Sequence, residues 1–177
     1  MKAGAHQLFL REEELRRGIE LLFFAYRDFT GEADALLSRL GLGRAHHRVI
    51  YFVGRHPNIP VSDLLQILGI TKQSLSRVLS QLMTEGYITQ KPGTRDRRQR
   101  LLELTAKGID LEHQLTERQR NRIARAYREA GAEAVEGFRK VLTGMIDEPD
   151  RSRFTAAEGP VPLPAGGLAQ RPRRARS

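Results

Sequence analysis

VSDLLQILGITKQSLSRVLSQLMTEGYITQKPGTRDRRQRLLEL, residues 61–104, decides the fold. Val61–Leu68 has the apolar spacing of a short helix, capped by Ser62 or by the chain just before it. Gly69-Ile70 makes a tight turn, because glycine tolerates a left-handed backbone. Thr71 has the side chain to cap a second helix over about Lys72–Glu85. Within it Leu75, Val78, Leu79 and Leu82 recur at spacings of three and four and form one apolar stripe. The opposite face carries Lys72, Gln73, Ser74, Ser76, Arg77, Ser80 and Gln81, all hydrogen-bonding and none acidic.

That face suits a major groove of duplex DNA. Arginine pairs bidentately with guanine, glutamine with adenine, and serine reaches base edges or phosphates. Two helices joined by a glycine turn, the second presenting such a face, carry the helix-turn-helix signature. An αα-hairpin with a solvated polar face is the plain alternative.

The segment after this helix favours DNA. Gly86 can close the helix. Tyr87–Lys91 and Arg100–Leu104 have strand character, and Pro92–Gln99 between them has turn residues and charge. The result is a β-hairpin with a basic tip. From Thr89 to Arg100 five Lys or Arg stand against Asp96 alone, a net +4. Arg95, Arg97 and Arg98 would suit a minor groove, whose negative potential favours inserted arginine. Asp96 is expected to hold Arg98 extended through a charge-assisted hydrogen bond, or else simply to begin the turn.

Around this stretch the chain is predominantly helical. An N-terminal helix over about Arg11–Leu40 carries Leu15, Ile19, Leu22, Tyr26, Phe29, Ala33, Leu36 and Leu40, widened by Leu21, Phe23, Phe24 and Leu37. So broad an apolar face needs more than one partner surface. Gly41 and Gly43 end this helix, and another follows over about Ala45–Arg55. His56–Pro60 reads as a turn, since proline removes a donor. After Thr105 a polar helix extends to about Ala130, and Ala134–Ile146 is an amphipathic last helix. Both terminal apolar stripes would be buried by a symmetry mate, so a homodimer is expected.

From Pro149 to Ser177, prolines, glycines and six arginines replace periodic apolar residues. Such composition predicts a disordered basic tail. The expected layout is a domain over 1–148, with the DNA-binding unit at about 45–104, dimerisation helices at 11–40 and 105–148, and a tail at 149–177. The fold class is mainly α with a small β-hairpin wing.

The whole chain of 177 residues has a net charge of +9, which attracts polyanions. It has no cysteine, hence no disulfide, thiolate nucleophile or Cys-based zinc site. There is neither a signal-peptide apolar region near Met1–Leu10 nor an apolar run of membrane-spanning length, so a cytoplasmic location without membrane partnership is expected. No glycine-rich phosphate loop and no Ser/His/Asp arrangement is evident, and neither cofactor, metal nor enzymatic activity is expected. His46 and His47 are adjacent and point about a hundred degrees apart on a helix, so they cannot chelate one metal by themselves.

The sequence resembles the MarR (multiple antibiotic resistance regulator) family. The resemblance is carried by Ile70, Lys72, Ser76, Arg77, Leu82, Gly86 and Ile88, by Asp96-Arg97-Arg98, and by Leu104-Thr105 with Gly108. It is specific over about residues 45–110. It implies a homodimer on a pseudo-palindromic double-stranded site, with recognition helices in successive major grooves and wings in flanking minor grooves. The family's wing pair falls on Asp96 and Arg98, and its recognition face on Gln73, Ser76, Arg77 and Ser80. It further implies a small aromatic effector between the dimer module and the DNA-binding lobe, where Phe23, Tyr26, Phe29, His46, His47 and Tyr51 are candidates. The alternative function is a weakly specific DNA-architectural protein.

Overall fold

The computed structural model describes residues 5–93, 96–148 and 150–155. A 3-10 helix over Ala5–Leu10 leads into α1 (Glu12–Arg39). Then come α2 (Arg44–Arg55), β1 (Ile59–Pro60), α3 (Val61–Leu68) and α4 (Lys72–Thr84). The wing strands are β2 (Ile88–Pro92) and β3 (Arg100–Leu104). They are followed by α5 (Ala106–Ala130), α6 (Ala132–Met145) and a helical turn, α7 (Ser152–Thr155).

Local chemistry sets most of these boundaries. Glu12, Glu13 and Glu14 occupy the first turn of α1, where carboxylates complement the helix dipole. At its other end Gly41 takes a left-handed φ of 68°, Leu42 N–H donates to Leu37 O at 2.9 Å, and Gly41 N–H donates to Ser38 O at 3.2 Å. That is a Schellman cap. Gly86 repeats it after α4, with φ 75° and Tyr87 N–H donating to Leu82 O at 2.8 Å. Gly69 turns α3 into α4 with φ 62°, and Thr71 Oγ1 accepts Ser74 N–H at 3.2 Å, as the sequence predicts.

The core lies under the DNA-binding unit. Leu75, Val78, Leu79 and Leu82 of α4 are buried with Val49, Ile50 and Val53 of α2, and with Leu64, Ile59 and Leu102. From α1 and α5 it receives Ala33, Leu37, Leu111 and Leu115. Gly108 brings α5 hard against the start of the wing: a Cβ there would land on the Tyr87 carbonyl oxygen. Thr105, the N-cap of α5, accepts Gly108 N–H at 3.1 Å and donates its hydroxyl to Gly86 O at 2.6 Å.

Two expectations need correction, and one choice left open by the sequence is resolved. His56–Pro60 is not only a turn, because Ile59-Pro60 forms an edge strand, antiparallel to β3 with Ile59 opposite Leu102. The sheet order is therefore β1-β3-β2. A two-residue strand has no alternation to read, and its proline is tolerated only at an edge. Of the two caps the sequence offers for α3, the chain just before it supplies the observed one: Pro60 holds the N-cap position without a side-chain bond, and Ser62 Oγ donates to Asp63 Oδ1. The segment from Pro149 does not lose structure at once. Arg151 donates to Ile146 O at 2.9 Å and to Gly144 O at 3.2 Å, satisfying carbonyls at the end of α6, and α7 follows. Residues 156–177 lie outside the described residues.

Beyond the core, the two ends of the chain expose apolar surface. On α1 Ile19 is 70% exposed and Phe23 63%; on α6 Val141 is 62% exposed, and no residue of α6 is buried. No helix among the described residues is long and apolar enough to cross a membrane.

Candidate nucleic-acid interface

α4 divides cleanly by face. Its leucines and Val78 are buried, while Lys72, Gln73, Ser74, Ser76, Arg77 and Ser80 are all exposed. Neither Lys72 nor Arg77 has an ion-pair partner among the described residues, so both cations are available to a polyanion.

Gln81 behaves differently. Its Oε1 meets His46 Nε2 at 2.9 Å, and its Nε2 donates to Gly41 O at 3.2 Å and to Glu85 Oε1 at 2.8 Å. His46 Nδ1 accepts Gly43 N–H at 3.1 Å, which places the imidazole hydrogen on Nε2, facing Gln81. The recognition helix is thereby tied to the glycine turn before α2. The sequence puts Gln81 on the polar face and gives no sign of this tether.

The wing is closed at its tip by backbone bonds. Gly93 N–H donates to Gln99 O at 3.0 Å and Gln99 N–H to Asp96 O at 3.0 Å. The Asp96 carboxylate accepts the backbone N–H of Arg98 at 2.9 Å. Of the two roles expected for Asp96, the second is observed: a carboxylate two residues before an amide makes an Asx turn, and no ion pair joins Asp96 to the Arg98 side chain among the described residues. Asp96 shapes the loop, and Arg97 and Arg98 project from it exposed. Arg95, also expected in the interface, lies outside the described residues.

Behind this surface, between α1, α2 and α5, is a crevice of about 600 Å³. Tyr26, Phe29, His47 and Tyr51 line it as expected, joined by Phe52 and Ile123. Phe23 and His46 do not; Phe23 stands on the solvent side of α1, and His46 turns towards Gln81. Three arginines without a place in the sequence-based expectation, Arg44, Arg48 and Arg120, also border it. A signal was present: Arg44, His47, Arg48 and Tyr51 fall at i, i+3, i+4 and i+7, one face of α2. Arg48 donates to Tyr26 Oη at 3.3 Å, and Arg44 pairs with Asp34 at 2.7 Å. Burial holds the His47 imidazole below its ordinary value of 6.5, opposed by the nearby Asp34 and Glu112 carboxylates. Among the described residues no group of three or more His, Asp or Glu is placed to hold a metal ion.

Comparison with known proteins agrees with this geometry. Residues 40–99 match the model of the MarR family. The chain is 50% identical over 151 residues to the HTH-type transcriptional regulator PetP of Rhodobacter capsulatus, covering 85% of this chain and 91% of PetP. Among solved structures it is similar in fold to Streptococcus pneumoniae FabT in complex with DNA, at a TM-score of 0.66 and 20% identity over 74% of this chain and 94% of that one. It is also similar to NadR in complex with 4-hydroxyphenylacetate, at a TM-score of 0.60 and 21% identity over 70% of this chain and 88% of that one. A winged helix with an open polar recognition face and a basic wing, in a chain half identical to a regulator of transcription, belongs to the MarR family of DNA-binding transcriptional regulators.

Proposed function

We propose that the chain works as a homodimer on a pseudo-palindromic duplex site, in the cytoplasm, and that a small aromatic ligand in the crevice modulates it. The observation that carries the dimer is the exposed apolar surface at both ends, Ile19 and Phe23 on α1 with Val141 and Met145 on α6. Burial of such side chains contributes about 1.5–3 kcal/mol each, ample for a stable interface. A two-fold pair of α4 helices would then enter successive major grooves one helical turn apart. Lys72, Gln73, Ser74, Ser76, Arg77 and Ser80 meet base edges and phosphates there. Arg97 and Arg98, on the turn that Asp96 organises, reach the flanking minor grooves.

The ligand reading rests on the crevice lining. Tyr26, Phe29, Tyr51 and Phe52 offer aromatic faces, and Arg48 and Arg120 offer guanidinium groups. An aromatic ring bearing a carboxylate meets both needs, and NadR is known in complex with 4-hydroxyphenylacetate. Sedimentation equilibrium combined with DNA titration in the presence and absence of aromatic carboxylates tests the proposal. A monomer at micromolar concentration would overturn the dimer. DNA affinity unmoved by every aromatic acid that binds would overturn the modulation.

A further inference from the structure

A second cationic site lies on the dimer arm, away from both the recognition face and the aromatic crevice. Arg118, Arg122, Arg125 and Arg128 follow one another on α5 at spacings of three and four. Together with Asn121 and Glu32 of α1 they line a groove of about 370 Å³. Helix geometry puts the four within one stripe about 15 Å long. Arg118, the nearest to the wing, stands about 18 Å along the helix from Ala106, too far to share the DNA contact of α4. Arg120, which borders the aromatic crevice, lies on the opposite side of α5.

The charge in this groove is not balanced. Arg122 pairs with Glu32 at 2.8 Å, and Arg118, Arg125 and Arg128, all exposed, have no ion pair among the described residues. Some arginines elsewhere on the helices do have a neighbouring acid: Arg16 pairs with Glu12, Arg27 with Asp28 and Arg44 with Asp34. Like charges at i, i+3 and i, i+4 are destabilising on a helix. A stripe that accumulates them around a concavity fits an anionic ligand that offsets the repulsion. Guanidinium forks match phosphate oxygens bidentately, and adjacent phosphates would span two successive arginines.

We propose that this groove binds a small molecule carrying adjacent phosphate groups, in the manner of pyrophosphate or of a nucleoside diphosphate. Its size admits a diphosphate and not a duplex. The anion bridges Arg118, Arg122 and Arg125 and stiffens the arm that carries the DNA-binding unit.

The test is calorimetric titration of the full chain with inorganic pyrophosphate and, separately, with ADP, in buffers matched for ionic strength with sodium chloride. The Arg118→Gln/Arg125→Gln double variant is expected to lose roughly tenfold or more in affinity for both, since two charge-assisted contacts are removed. Arg77→Gln, on the recognition face, is expected to bind as the parent does. Tighter binding of ADP would identify a nucleotide as the source, and equal binding a free diphosphate. The proposal fails if pyrophosphate gives no heat beyond the matched salt, or if the double variant binds both as the parent does. It also fails if the double variant changes only the oligomeric state, which would make the stripe a surface for the acidic residues of a second copy.

Discussion

His46 Nε2 lies 2.9 Å from Gln81 Oε1, and this bond joins the first turn of α2 to the recognition helix. Because Gly43 N–H donates to the other ring nitrogen, only the neutral Nε2–H tautomer satisfies both partners. Gln81→Ala and His46→Ala are each expected to weaken DNA binding by about 1 kcal/mol, the net worth of a hydrogen bond. A double-mutant cycle on DNA affinity should give a coupling of about 0.5–1.5 kcal/mol. Strict additivity would show that the contact does not position α4.

Arg77→Ala is expected to cost about 1–3 kcal/mol on the preferred site and to relax the preference at one base position. Competition between the preferred duplex and single-base variants measures both effects. Equal weakening on all sequences would make Arg77 a phosphate contact.

Asp96→Ala should lower DNA affinity although it removes a negative charge, because the wing tip loses its Asx turn. Asp96→Asn should retain most of the affinity, since an amide oxygen accepts the Arg98 N–H as a carboxylate does. A loss with asparagine as large as with alanine would restore the ionic role for Asp96.

Gly108→Ala sets helix propensity against sterics. Alanine gains about 1 kcal/mol in a helix. The Tyr87 carbonyl that its methyl would strike is backbone and cannot swing aside. Overpacking of this kind costs about 1–3 kcal/mol, so a net loss of stability is expected in urea denaturation. A stabilised variant would show that α5 and the wing are less tightly apposed.

His47 gives stability a pH dependence of known sign. Its imidazole is held below 6.5 in the fold and titrates near 6.5 when unfolded, so the unfolded chain binds the proton first. Its contribution is complete above about pH 6.5 and is lost as the pH falls through the depressed folded value. Thermal unfolding of His47→Gln should therefore show a smaller fall in Tm between neutral and mildly acidic buffer than the parent. An unchanged fall would assign the acid sensitivity elsewhere.

The DNA-binding unit is legible in the sequence because its signals are local. The buried stripe of α4, the Thr71 cap and the left-handed Gly69 and Gly86 each declare themselves within a few residues. The features that escape a sequence reading depend on residues far apart in the chain. β1 exists only because Leu102 lies opposite Ile59, some forty positions on. The His46–Gln81 tether spans 35 positions and joins two side chains that each look like ordinary surface. Phe23 falls outside the crevice for a related reason: on a helix apolar around most of its circumference, periodicity cannot say which side meets which neighbour.

The most direct test of the central claim is selection of binding sites from a random duplex library by the purified protein at about 150 mM salt, where non-specific attraction is screened. An enriched inverted repeat with half-sites about one helical turn apart is the predicted result. Retention of DNA with no enriched motif would contradict it and favour a weakly specific architectural protein.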